Sequence, residues 1–230
     1  MGLIVLPATI SDITPAWDAY FAAFAGDVIL DILYPHGVDA ELRKAHTEGT
    51  LHWWHNVTVQ HTFKCVDTDT GEIVGLAVWD VYWRERTEEE RVKPTIPWLE
   101  GKERERAEGF LEPLWRSREK WLGPRKHVYC FVIAVHPSHQ KRGIGQLLMD
   151  WGLETGEKLG VPVYLESTSA GLPLYTKLGF ERLSEGALLK KEVTHFEKDV
   201  EAPLMVKMPK AAGGMEFEEW AEKGYPPLAG

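Results

Sequence analysis

Six consecutive residues, Gln140-Lys141-Arg142-Gly143-Ile144-Gly145, have the makings of a phosphate cradle. A helix start presents backbone N–H groups that have no intrahelical acceptor, together with the positive end of the helix dipole, so it attracts anions. Gly143 and Gly145 carry no side chain to keep a pyrophosphate off the backbone. Arg142 can add a charge-assisted contact. The run does not end in Gly-Lys-Ser/Thr, as a nucleotide P-loop does, and it lacks the third glycine of a dinucleotide fingerprint. The elements that must hold it are legible on either side. Val128 to Val135 is almost wholly apolar or aromatic, as in a strand buried on both faces, and Pro137 stops it. From Gly143 to Leu159, apolar residues recur at Ile144, Leu147, Leu148, Trp151 and Leu159, which is a helical stripe.

A second strand-then-helix unit follows. Val161 to Glu166 reads as a short strand, and Ser167 to Phe180 contains Leu174-Tyr175-x-x-Leu178-Gly179-Phe180. Gly179 has the place of a helix C-cap, and Phe180 that of the first core residue beyond it. Taken in order, Gln-x-x-Gly-x-Gly preceded by Val-x-Pro and then the Leu-Tyr run resemble the two coenzyme A signatures of the GNAT acetyltransferase superfamily. The hairpin at residues 63–72, Phe-Lys-Cys-Val-Asp-Thr-Asp-Thr-Gly-Glu, is loosely similar to uncharacterised fungal members.

That resemblance implies an α/β (α+β) fold: a mixed sheet of about seven strands, splayed at the coenzyme and flanked by helices. It implies acetyl-CoA as cosubstrate, bound by Ile133, Val135, Gln140, Lys141, Arg142, Gly143, Ile144, Gly145, Thr168 and Tyr175. Many members have Asn and Ala where this chain has Thr168 and Gly171, which weakens the transfer of that asparagine's coenzyme contact. Tyr175 is placed by the motif beside the thioester sulfur, to protonate the leaving thiolate, and a backbone N–H near Val135 would hold the oxyanion. An amine must be neutral to attack, so a base is needed, and Glu166 at the strand end or Asp80 in the preceding hairpin could serve directly or through water. Trp79, Asp80 and Glu166 are the expected acceptor contacts, the tryptophan as part of an aromatic wall able to hold a cation or a flat ring. Cys130 as an acyl carrier is the weaker idea, because it lies mid-strand without a base.

The remaining elements read coarsely. A strand covers Leu3 to Ala8, and a helix capped by Ser11 or Asp12 runs to about Phe24. Val38 to Glu48 is helical, with Leu51 to Asn56 extending it or forming a loop. Val59 to Val66 and Glu72 to Trp83 form a hairpin around Asp67-Thr68-Asp69-Thr70-Gly71. Residues 84–126 are an insertion relative to the minimal family fold. Phe110, Leu111, Leu114, Trp115, Trp121 and Leu122 fall at helical spacing in it, and Pro113 is expected to start or kink that helix. The charged run from Arg84 to Arg106 reads as a solvated helix face. The insertion would suit a lid over the acceptor or an interface in a homodimer. Glu181 to Val193 and Pro203 to Met208 read as closing strands. Residues 1–210 thus form one domain, with 211–230 as a C-terminal tail.

Composition agrees with this reading. The 230 residues are 44% hydrophobic and 27% charged, an ordinary globular balance. A net charge of −9 argues against nonspecific nucleic-acid binding. No apolar stretch approaches a membrane span, and the N-terminus lacks a basic, signal-like start. Cys65 and Cys130 sit in apolar runs, as buried thiols in a reducing compartment would. A cytoplasmic protein is expected, with a nuclear share left open. His52, His55 and His61 lack the further ligands that zinc requires, so no metal is expected. The function these features favour is acetyl transfer from acetyl-CoA to an amine, with a small-molecule acceptor. The alternatives are a protein N-terminal or lysine acetyltransferase and a non-catalytic acyl-CoA-binding module.

Overall fold

The structure, a computed structural model, describes residues 2–228. Its elements are β1 (Leu3–Pro7), α1 (Ile13–Ala23), α2 (Val28–Leu33), α3 (Ala40–Asn56), β2 (Gln60–Asp67), β3 (Ile73–Tyr82), α4 (Gly101–Trp121), β4 (His127–Val135), α5 (Ile144–Leu159), β5 (Val163–Glu166), α6 (Leu172–Lys177), β6 (Glu181–Arg182), β7 (Ala187–Leu189), α7 (Lys191–Thr194), β8 (Val200–Ala202), β9 (Leu204–Lys207) and α8 (Phe217–Glu222). Seven strands form one mixed sheet in the order β1-β2-β3-β4-β5-β9-β6, and β7 and β8 pair separately. The chain groups into two compact units, residues 1–81 with 130–153 and residues 82–129 with 154–230.

In the first unit, β1, β2 and β3 are antiparallel neighbours, with a bulge between Cys65 and Val66. Asp39 caps α3 by accepting from Leu42 N at 2.8 Å, and Asp27 caps α2 by accepting from Ile29 N at 2.9 Å. One core joins Ala16, Tyr20 and Phe21 of α1 to Leu76, Val78 and Ala134 of the strands. Helix α5 lies close on this sheet because glycines face it. A Cβ on Gly75 would come within 3.0 Å of both Ile144 and Leu148, and one on Gly152 within 2.3 Å of the Trp79 ring. These approaches fix where α5 begins, and so where the Gln140–Gly145 turn sits.

In the second unit, β4 and β5 run parallel, with Val128 paired to Val163 and Tyr129 to Tyr164, and β5 continues to Glu166. On its other side β5 pairs with β9, with Glu166 opposite Leu204. The core gathers Leu122, Tyr129, Tyr164, Leu204, Val206, Phe217 and Trp220. Segment 211–230, read as a tail, therefore contributes Phe217 and Trp220 to packing, and Trp220 Nε1 donates to Pro226 O at 2.7 Å.

Three expectations need correction. Helix α4 begins at Gly101, so Pro113 lies inside it and does not start it. Its exposed positions are charged residues with good helix propensity, which extend it upstream of the apolar stripe. The charged run upstream of it is not simply a solvated helix face. Residues 92–100 are irregular, and Arg86 is buried, its guanidinium bonded to Glu119, to Gly123 O at 3.0 Å and to Glu90 O at 2.6 Å. The closing strand expected over 181–193 is broken into β6, β7 and α7, because residues 183–186 turn at Ser184-Glu185-Gly186.

Candidate active site

The Gln140–Gly145 turn leaves β4 through the short helical turn Pro137–His139. Lys141 and Gly143 both have positive φ, 60° and 85°. For Gly143 this is the reason for glycine, since an L side chain there is strained. A Cβ on Gly143 would meet nothing within 4 Å, so open space faces the backbone at this point. The turn therefore fits a pyrophosphate: first-turn N–H groups of α5 lie beside exposed backbone that no side chain covers. Gln140 Nε2 reaches back to Val135 O at 3.4 Å, while Ile144 is buried and anchors the turn. Arg142 points to Asp67, with Nη1 at 2.8 Å from Oδ2. Ile133 and Val135 are half-buried on β4.

The second unit holds the titratable cluster. Glu166 closes β5. Its Oε2 accepts from the Tyr129 hydroxyl at 2.8 Å, and the Arg118 guanidinium of α4 lies over the Tyr129 ring, 4.1 Å from its centroid. The Tyr164 hydroxyl is near enough to stabilise the carboxylate but not in hydrogen-bonding geometry. Tyr164 Oη and Glu166 Oε1 are both buried and without such a partner among the described residues. Burial pushes the Glu166 carboxyl above its ordinary range, against the opposing pull of Arg118 and of the tyrosine hydroxyls. Burial likewise raises the Tyr164 hydroxyl, which remains a proton donor at neutral pH.

Tyr175 is buried on α6, edge-on to Phe180 at 5.7 Å. It packs so closely that a Cβ on Gly171 would lie 2.8 Å from its Cε2. The glycine standing at the family's alanine place thus makes room for this ring. Thr168 is exposed and its Oγ1 accepts from Gly171 N at 3.2 Å, bracing the loop before α6. Gly179 ends the helix with φ of 80°, and Lys207 Nζ donates to Leu178 O at 2.7 Å beside it.

These placements match a known architecture. Residues 27–180 match the Acetyltransferase (GNAT) family. The chain belongs to that family. It is 51% identical over 143 residues to "Probable acyltransferase SID5" of Ajellomyces capsulatus, an alignment covering 62% of this chain and 99% of that protein. Among solved structures, a histone acetyltransferase HPA2 and related acetyltransferase from Corynebacterium glutamicum superposes with TM-score 0.60 at 23% identity, covering 91% of this chain and 97% of that one. A phosphinothricin acetyltransferase from Sinorhizobium meliloti, solved with AcCoA, gives 0.55 at 16% identity over 91% of this chain and 90% of that one. Both likenesses are of fold.

Two expected acceptor residues differ in standing from Glu166. Trp79 is fully buried against Gly152 and beside Trp151, so its ring belongs to the core and cannot line an acceptor wall. Its place midway along the hydrophobic strand β3, where both faces are covered, is the cause. Asp80 is half-buried and accepts from Gln60 Nε2 at 3.1 Å. Tyr129 and Arg118 were not anticipated. Strand periodicity alone puts Tyr164 and Glu166 on one face, but the pairing that aligns Tyr129 with Tyr164, and the helix that brings Arg118, are tertiary. Among the described residues no three His, Cys, Asp or Glu side chains gather as metal ligands, and no helix is long and apolar enough to cross a membrane.

Proposed function

We propose that this GNAT acyltransferase moves the acetyl group of acetyl-CoA onto the nitrogen of a small-molecule amine by direct attack. The observation that carries the nitrogen acceptor is Glu166, a carboxyl raised by burial, at the end of β5 and held by the Tyr129 hydroxyl. Such a group can take the proton of an ammonium at neutral pH, which an ordinary carboxylate does poorly. The amine nitrogen then bonds to the thioester carbon and the C–S bond breaks. The departing thiolate takes its proton from the Tyr175 hydroxyl, the second proton lost by the acylated nitrogen restores that hydroxyl, and the proton gained by Glu166 passes to water. The Gln140–Gly145 turn holds the pyrophosphate, with Arg142 adding charge, and the β4 backbone near Val135 receives the oxyanion.

A small acceptor is supported by helix α4. That helix lays Arg118 over the ring of Tyr129, the residue bonded to Glu166, so a cationic side chain stands close to the carboxyl end of β5, where an extended peptide would have to be accommodated. Calorimetry with acetyl-CoA tests the cosubstrate. A panel of primary amines, basic peptides and protein N-termini, read by product mass and free thiol release, tests the acceptor. Acetylation of peptides in preference to every free amine would overturn the small-molecule reading. Turnover only with alcohols would overturn nitrogen transfer.

A further inference from the structure

Helix α4 belongs to a segment foreign to the minimal fold, yet it delivers a charge to the one buried carboxyl at the end of β5. Arg118 lies three residues before the helix end at Trp121. Its guanidinium covers the Tyr129 ring face at 4.1 Å, and the Tyr129 hydroxyl, at the far end of that ring, donates to Glu166 Oε2 at 2.8 Å. Three elements thus meet in one chain of contacts: α4 through Arg118, β4 through Tyr129 and β5 through Glu166. The charged and titratable groups facing the carboxylate are Arg118 from α4, Tyr129 from β4 and Tyr164 from β5 itself. The register partner on β9, Leu204, brings none.

We infer that Tyr129 and Arg118 are positioning residues for Glu166, and that the inserted helix thereby takes part in the proton transfer from the acceptor amine. This rests on the reading of Glu166 as the base. Tyr129 holds Oε2, which fixes the carboxylate plane and leaves Oε1 with its lone pairs as the proton acceptor. The cation over the ring polarises the phenol, so its O–H is a stronger donor. The same cation stabilises the ionised carboxylate through space. Burial acts the other way and favours the protonated carboxyl, the form that cannot accept a proton. The working range of the base is set by the balance between burial and these two groups.

The balance makes a distinctive forecast. Removing either group should move the base and not merely weaken the protein. The measurement is kcat/KM against pH for the full-length enzyme with acetyl-CoA and the best amine of the panel, in Tyr129→Phe, Arg118→Met, Arg118→Lys and Glu166→Gln. Tyr129→Phe and Arg118→Met should each shift the acidic limb upward by about one pH unit, the size of one charge-assisted contact. Activity should return toward the parent's at high pH, with the acetyl-CoA Kd unchanged. Arg118→Lys keeps the charge without the planar stack and should fall between. The infrared carboxyl band that disappears in Glu166→Gln gives the same titration without turnover, so a poorly active variant still reports.

The outcomes separate. If Glu166→Gln keeps the acidic limb, Glu166 is not the base and the proposed chemistry falls. If Glu166→Gln abolishes the limb while Tyr129→Phe and Arg118→Met lower activity equally at all pH values, the two residues are structural and this inference alone is overturned.

Discussion

Arg142 Nη1 donates to Asp67 Oδ2 at 2.8 Å, fastening the turn before α5 to the last residue of β2. The bond to Arg142, aided by the Asp69 N–H, holds the Asp67 carboxyl below its ordinary range. His139 Nδ1 sits 2.7 Å from the same Nη1. The guanidinium is thus oriented before any phosphate arrives. Arg142→Ala should weaken acetyl-CoA binding about tenfold by calorimetry, the worth of one charged contact. Asp67→Asn, which keeps the bulk but loses the anchor's charge, should weaken it less. Tighter binding in Asp67→Asn would mean that the aspartate competes with phosphate for the arginine.

The backbone of the same turn gives a second test. Gly143 has φ of 85°, and replacing it with alanine forces an L side chain into the left-handed region, at about 1–2 kcal/mol. Gly145→Glu places a carboxylate at the first turn of α5 and should abolish acetyl-CoA binding outright. Gly143→Ala should reduce it while the protein still melts cooperatively. Unchanged affinity in the glutamate variant would move the pyrophosphate elsewhere.

How much of this was legible in the sequence depends on how local the cause was. The strand at Val128–Val135, the turn and the α5 stripe are local patterns, and they were read within a residue or two of the observed His127–Val135 and Ile144–Leu159. Gly179 at positive φ was legible for the same reason. Trp79 was misread because sequence gives a residue's strand but not the glycine, at position 152, that lets a helix press against it. Tyr129 and Arg118 were missed because their value lies in partners 37 residues away and on another element. Helix α2 is too short for periodicity to mark it.

Tyr175 carries the leaving-group proton in the proposed chemistry. Tyr175→Phe keeps the ring that packs against Phe180 and Gly171, so the fold should hold. Its kcat should fall roughly 10²- to 10³-fold, as for a lost proton donor. The KM for acetyl-CoA should barely change. A phenylalanine variant that turns over at near the parent rate would assign that proton to water.

The buried His127 and the half-buried His46 should make the protein acid-sensitive. Burial depresses His127 to about 3 and His46 to about 4. His127 Nδ1 is bonded to Arg125 O at 2.7 Å, and His46 lies edge-on to Trp17 at 4.4 Å. The unfolded chain protonates both near their ordinary value of about 6.5. The folded state resists, so stability is full above that value and is lost as pH falls from about 6.5 toward 4 and then 3. The Tm should drop steeply across this window, and His46→Phe with His127→Asn should flatten the drop. An unchanged acid slope in the double variant would place the sensitivity in other groups.

Arg86 tests whether residues 84–126, read from the sequence as an insertion, are an appendage or part of the second unit's core. Its side chain is almost wholly buried, bonded to Glu119 and to the carbonyls of Gly123 and Glu90, with the Tyr82 ring 5.1 Å away. Glu119 also accepts from Arg91 Nε at 2.9 Å. Removing one member of a buried pair costs about 3–5 kcal/mol when the other is left alone; Arg91 still reaches Glu119, so the cost here should fall below that range. Arg86→Met should therefore lower the Tm of the whole protein in a single transition, and Arg86→Met with Glu119→Leu should recover part of the loss by leaving no carboxylate short of a partner. An insertion that merely lies on the surface would behave otherwise. Arg86→Met would then melt like the parent, and replacing residues 86–120 with a short linker would be tolerated. The bonds from Arg86 to both ends of the segment argue that excision would unfold the second unit, so point variants at Arg118 are the sound way to ask what the insertion does for the reaction.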